Sequence, residues 1–235
     1  VDPTNNNVLY AGTGENNSDG GIYKSTDGGN SWNQIGASTY GYKNCLVIEV
    51  DKYNHNLLYA GSDNGLYKST DSGNTWSSIL GYNTNLAGIS VDIATEATIY
   101  ISVMDQGIYK SIDLGQSWNL KNNTMGNSII FRLAQDKSGT LFAGRVNGNS
   151  GNVWKSSDKA ESWENVSDQT WGNTNVRGLD VNNGRVYANV ENLGIYYADI
   201  NPTPTPIVFI PGFGGSWSYK GLIENLPTTN SDWQL

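Results

Sequence analysis

The residues of this chain best suited to chemistry are its aspartates, and they come in series. Asp27, Asp71, Asp113 and Asp158 follow one another at intervals of 44, 42 and 45 residues. Two carboxylates facing each other across a cleft serve glycoside hydrolysis as acid and base, and clustered carboxylates hold metal ions. A group needed once, however, has no reason to recur in every repeat, and each of the four sits in the same local string. Ser25-Thr26-Asp27-Gly28-Gly29-Asn30-Ser31-Trp32 recurs as Ser69-Thr70-Asp71-Ser72-Gly73-Asn74-Thr75-Trp76 and as Ser111-Ile112-Asp113-Leu114-Gly115-Gln116-Ser117-Trp118. A worn fourth copy, Ser156-Ser157-Asp158-Lys159-Ala160-Glu161-Ser162-Trp163, has Ala160 in place of the glycine. In this setting the carboxylate reads as a turn fastener. It accepts hydrogen bonds from backbone N–H groups of its own turn, the glycine takes positive φ, and Ser or Thr adds side-chain bonds. Trp32, Trp76, Trp118 and Trp163 then open the next strand and are expected to bury their rings between neighbouring sheets. Asp19, Asp63 and Asp105, each two residues before Gly21, Gly65 and Gly107, form a second series with the same turn reading. Neither series yields an acid/base pair or a metal site.

Other chemistry is narrowly bounded. Cys45 is the only cysteine, which excludes an intrachain disulfide and a Cys-based metal centre. His55, the only histidine, lies in the turn-like run Asp51–Asn56 and reads as an exposed turn residue rather than a triad member. No cofactor is indicated. The formal net charge of −8, with 14 Lys and Arg against 22 Asp and Glu, argues against nucleic acid and anionic membrane, both of which need clustered positive charge. No apolar run is long enough to span a membrane.

The elements that must carry these turns repeat with them. Val8-Leu9-Tyr10-Ala11-Gly12 is echoed at 57–61, 98–101, 141–144 and 186–188; Ile22-Tyr23-Lys24 at 66–68, 108–110, 153–155 and 195–197. A third run, Leu46–Val50, returns at 88–91, 130–133 and 176–180. All are short, branched or aromatic, and bounded by Gly, Asn or Asp, as strands are. A period of 42 to 45 residues is that of a four-stranded β-propeller blade. One blade reads as strand A (46–50), B (57–61), C (65–69) and D (75–80), with the aspartate string as the C–D turn. The fold class is therefore all-β, with about four and a half blades over residues 1–200. In that register the A–B and C–D turns share one face, and the D–A and B–C loops line the other. Tyr40 and Tyr42, Tyr82, and Trp171 beside Asn173 fall in D–A loops and read as non-core aromatics near amides, suited to stacking on sugar rings. The bland alternative is turn composition alone.

The aspartate string resembles the BNR or Asp-box repeat of sialidases, xyloglucanase-type glycosidases, sortilin-like receptors and photosystem assembly factors, over roughly residues 1–200. The resemblance implies the propeller fold. It carries no activity, because the same fold serves hydrolases, receptors and scaffolds. Sialidase chemistry does not transfer: Phe131-Arg132-Leu133-Ala134 lies between the third and fourth boxes and lacks the proline of the sialidase segment, and Arg145, Arg177 and Arg185 have no matching context. Arg177 is expected on an inner strand, facing the central channel.

Beyond Ile200 the composition changes. Residues 201–206, Asn-Pro-Thr-Pro-Thr-Pro, read as a semi-rigid linker. Residues 207–235 begin with an apolar run into a glycine-rich turn, Ile207-Val208-Phe209-Ile210-Pro211-Gly212-Phe213-Gly214-Gly215, which resembles the first core strand and oxyanion loop of α/β-hydrolases related to lipases and lecithin-cholesterol acyltransferase. That resemblance implies Phe213 N–H as an oxyanion donor, in a truncated domain whose nucleophile, acid and histidine lie elsewhere. The alternative is a last propeller strand plus a tail. Because the chain opens at Val1-Asp2-Pro3 and stops at Trp233-Gln234-Leu235 in mid-pattern, it reads as a fragment of a longer, secreted or cell-surface protein. Three functions follow: a non-catalytic propeller that recognises a polysaccharide, cell-surface glycan or protein and positions a hydrolase; a glycoside hydrolase; or a protein-binding assembly factor.

Overall fold

A computed structural model of the chain describes residues 1–14, 20–40, 44–51, 53–81, 86–91, 98–104, 106–121, 125, 129–146, 152–167, 171, 174–200 and 210–211. Two compact units, Val1–Leu120 and Lys121–Leu235, divide it. The first unit holds three antiparallel sheets. These are β1 (Leu9–Thr13), β2 (Gly21–Ser25) and β3 (Asn33–Ile35); β4 (Cys45–Val50), β5 (Leu58–Ser62), β6 (Gly65–Ser69) and β7 (Ser77–Leu80); and β8 (Leu86–Val91), β9 (Ile99–Val103), β10 (Gly107–Ser111) and β11 (Asn119–Leu120). The second unit holds β12 (Ile129–Gln135), β13 (Leu141–Val146), β14 (Val153–Ser156) and β15 (Glu164–Asn165), then β16 (Val176–Asn182), β17 (Arg185–Val190), β18 (Gly194–Asp199) and β19 (Ile210–Pro211). Within each sheet the strands pair in chain order, as the strands of propeller blades do.

Strand alternation explains how the sheets stack inside each unit. Successive residues of a strand face opposite sides of its sheet. On β5, Leu58 and Ala60 join a cluster with Ile22, Cys45 and Trp76, while Tyr59 joins one with Leu66, Ile99 and Ile101. Every residue of β5 is therefore buried, and the same holds for β9. In the second unit Phe142, Val153, Val176, Val186 and Val190 form the core. The first sheet differs: β1 is only partly buried and has no inner strand beside it.

The register matches the sequence reading closely for A, B and C strands, while the D strand of the second sheet begins at Ser77 because the box occupies the residues before it. The last sheet gains its fourth strand from the segment after the Pro/Thr run. Ile210 and Pro211 pair with Ile195 and Gly194 of β18, the outer-strand place of a fifth sheet. This pairing is the one the alternative of a last propeller strand calls for; of residues 201–235 only these two are described. The linker 201–206 and Phe213 lie outside them.

Candidate functional site

The box turn is built from its side chains inward. In the second sheet Asp71 Oδ1 accepts from Thr75 N at 2.8 Å and from Ser69 Oγ at 2.8 Å, and Oδ2 accepts from Thr75 Oγ1 at 2.6 Å. Ser69 Oγ in turn accepts from Gly73 N at 2.9 Å, and Asn74 Nδ2 donates to Asp71 O at 2.7 Å. The same carboxylate bonds recur around Asp27, Asp113 and Asp158. This geometry needs two consecutive residues at positive φ: Gly28 and Gly29, Ser72 and Gly73, Leu114 and Gly115, Lys159 and Ala160. The first two boxes dock on the A–B turns of their own sheets, with Gly28 N donating to Asn7 O at 3.0 Å and Ser72 N to Asn56 O at 3.0 Å.

Electrostatics follow from these donors. The hydroxyl of Ser31, Thr75, Ser117 or Ser162, then the backbone N–H of the same residue, hold all four carboxyls down at about 2 against an ordinary 3.8. A folded-state value below the unfolded one means that the carboxylates stabilise the fold fully above about pH 4 and lose that contribution as pH falls towards 2. Thermal melts at pH 5, 4, 3 and 2 are thus expected to stay level and then drop steeply below pH 4. A melting temperature independent of pH across that range would contradict the assignment.

The box tryptophans are the second component. Trp76 stands against Gly36, where an added Cβ would come within 2.3 Å of its Cδ1, and its backbone N–H donates to Thr39 Oγ1 at 2.9 Å. Its indole N–H donates to Gly73 O at 2.9 Å. Gly36 and Thr39 belong to the preceding sheet's outgoing loop, so the ring is closed over by that sheet, and it is 6% exposed. Trp163 is equally buried, its Nε1 donating to Lys121 O at 2.8 Å. Trp118 is only partly buried beside Ile79. Trp32 corrects the expectation of buried rings, for it is 41% exposed with its Nε1 still on Gly29 O. Its local bond is intact and only the cover is missing.

Two of the five residues expected to form a sugar platform, Tyr40 and Trp171, are buried. Tyr40 is 0% exposed, packed edge-on against Tyr67 and Trp76 at centroid distances of 4.9 and 5.8 Å. Trp171 is 2% exposed against Tyr196 at 4.9 Å. Both rings plug the core beneath their loops and have no free face to offer a sugar. Tyr42, Tyr82 and Asn173 lie outside the described residues. On the same loops, Asn44 Nδ2 donates to Asp63 Oδ2 at 3.0 Å, which ties a D–A loop to a B–C turn. Arg177, expected on an inner strand, lies on β16 and is paired with Glu191 at 3.0 Å. His55 Nδ1 lies 2.8 Å from Thr4 Oγ1 and 3.3 Å from Asp2 Oδ1, joining two A–B turns.

Two features escaped the sequence reading. Leu46, Ala87, Phe131 and Arg177 are each the extra residue of a β-bulge at the same place on β4, β8, β12 and β16. A bulge re-aims a side chain and recurs where it is useful; the break in strand alternation after Cys45 was its only trace. A second set of fasteners, Asp2, Asp51 and Asp136, accepts backbone N–H groups in the A–B turns, signalled by an aspartate at the end of successive inner strands. Among the described residues no group of three or more His, Cys, Asp or Glu is placed to hold a metal. No helix there is long and apolar enough to cross a membrane.

With sheets, boxes and bulges in place, comparison with known proteins becomes decisive. The family model described as photosynthesis system II assembly factor YCF48 matches residues 17–149, over half of the chain. The chain belongs to the YCF48 family. Among solved structures, it is similar to a GH74 enzyme of Niastella koreensis at 26% identity and a TM-score of 0.68, over 84% of this chain and 35% of that one. A GH74 xyloglucanase from Xanthomonas campestris shares the fold at 18% identity and a TM-score of 0.67, over 85% of this chain and 36% of that one. A YCF48 bound to D1 peptide shares it at 16% identity and a TM-score of 0.57, over 77% of this chain and 60% of that one. The chain spans about a third of the length of the GH74 enzymes it matches. No curated protein matches. The YCF48 family assignment and the blade-like sheets together establish a BNR-type propeller chain.

Proposed function

We propose that this chain is a non-catalytic recognition scaffold whose ligand is a segment of another protein. The observation that carries this reading is the use made of the repeating carboxylates. All four box aspartates are saturated by donors of their own turns, which is the chemistry of a rigid frame, whereas a hydrolase needs a carboxylate free to exchange a proton with substrate. Membership of a family described as assembly factors supports a protein ligand over a glycan, and so does the burial of Tyr40 and Trp171.

Glycan recognition is the second reading, favoured by the 26% identity to a GH74 enzyme. On either reading the chain belongs at a cell surface or outside the cell, where an acidic, loop-rich propeller stays soluble. Incubating the 235-residue chain with xyloglucan and measuring reducing-end release is expected to give none above a heat-killed control. Turnover of the polysaccharide would end the scaffold reading, and retention on a glycan array without turnover would replace the protein ligand by a sugar.

A further inference from the structure

The third box departs from the first two at Ile112, Leu114 and Gln116, and the first two of these changes place aliphatic side chains where the others have threonine, glycine or serine. Ile112 stands where the first two boxes have threonine, and it is 63% exposed. Leu114 stands where they have Gly28 and Ser72; it holds φ at 57°, a conformation that a branched side chain adopts under strain. A strained, partly exposed leucine is a poor choice for a turn and a familiar sign of a contact surface.

Leu114 also lines a groove of about 470 Å3 between the second and third sheets, with Ile79, Lys68, Thr70, Ser77 and Gln116. Lys68 is the cationic member. At the equivalent place in the first sheet Lys24 Nζ donates to Ser72 O at 3.4 Å, in the third Lys110 lies over the Tyr100 ring at 5.8 Å, and in the fourth Lys155 lies 3.5 Å from Glu164. Among the described residues Lys68 meets only the face of the Tyr59 ring, at 5.9 Å. Partial burial pulls its ammonium below the ordinary lysine value, and no ion pair joins it to a carboxylate among the described residues.

We propose that this groove seats an extended peptide segment of a protein partner, one aliphatic side chain resting on Ile79 and Leu114 and one Asp or Glu carboxylate meeting the Lys68 ammonium. A side-chain carboxylate fits better than a chain-terminal one. Terminal carboxylates are captured by clusters of free backbone N–H groups, and here Gly115 N is held by Ser111 Oγ at 2.8 Å and Ser117 N by Asp113 at 2.9 Å. Both oxygens of the Asp113 carboxylate accept from Ser111 and Ser117 of their own turn rather than from Lys68.

This inference rests on the protein-ligand reading and locates it. The probe is the capped peptide acetyl-Leu-Gly-Glu-Gly-amide, titrated into the isotope-labelled 235-residue chain while backbone amide shifts are followed. Shifts confined to Gly115, Gln116 and the neighbouring β6 and β7, weakened at least fivefold by Lys68→Met, by Leu114→Gly and by replacing Glu with Gln in the peptide, support the site. Leu114→Gly restores the residue of the first box, so its melting temperature is expected to equal or exceed that of the parent. Binding that is absent, or unchanged by both variants, overturns the site. Shifts confined to other loops overturn it as well, yet leave a protein-recognition scaffold standing.

Discussion

Trp76→Ala is expected to lower stability by about 3–5 kcal/mol, the cost of deleting a large aromatic ring from a packed interior. The ring is closed in by Gly36 and Tyr40 of the preceding sheet's loop and by the Gly73 carbonyl of its own box. Truncation leaves a cavity that this backbone cannot collapse into, because Gly36 holds φ at 65° and sits against the ring at contact distance. Trp32→Ala serves as the internal comparison. It removes the same side chain from the same turn, but from a position 41% exposed, and is expected to cost well under half as much. Urea unfolding of the two variants measures the difference directly. Equal costs would mean that the inter-sheet packing described for Trp76 does not exist.

Gly65→Ala is the second large effect, about 2–4 kcal/mol. Gly65 opens β6 at φ 123°, a region essentially confined to glycine. A Cβ there would lie 2.1 Å from Leu80 O, which is backbone of the paired strand β7. Nothing at that contact can rotate away, so relief requires parting Leu66 from Leu80 and fraying the outer strand. Gly107 and Gly194 open β10 and β18 at φ 102° and 119° and are expected to behave alike. A Gly65→Ala protein that melts with the parent would show the B–C turn to be misplaced.

What could be read in the sequence follows the range of the forces involved. Box turns were legible because their chemistry closes within eight residues: Asp71, Ser69, Gly73 and Thr75 satisfy one another without help from elsewhere. Strand C was legible for the same reason, Gly65 marking its start. Burial of Tyr40 and Trp171 was not, since whether a loop aromatic caps the core or faces water is decided by residues far along the chain, such as Tyr67 and Tyr196. Trp32 illustrates the converse, with a motif that differs from that of Trp76 only at Gly28 and Ser31 and a different fate because no sheet among the described residues covers it. The apolar run ending at Pro211 is open to two readings because an edge strand and a first hydrolase strand have the same composition, and what can separate them is long-range pairing such as that of Ile210 with Ile195. The inner-strand bulges left almost no trace, a single extra residue being invisible in a short apolar run.

If the repeating aspartates are turn fasteners throughout, their carboxyl groups must titrate as a set. A carbon-13 titration of the side-chain carboxyls of Asp27, Asp71, Asp113 and Asp158, followed from pH 7 down to the acid limit of the fold, is expected to show no inflection above pH 3 for any of the four, in keeping with values of about 2. An inflection between pH 4 and 7 at one of them would reveal a carboxyl free of its turn and available as an acid or base, and would contradict the scaffold.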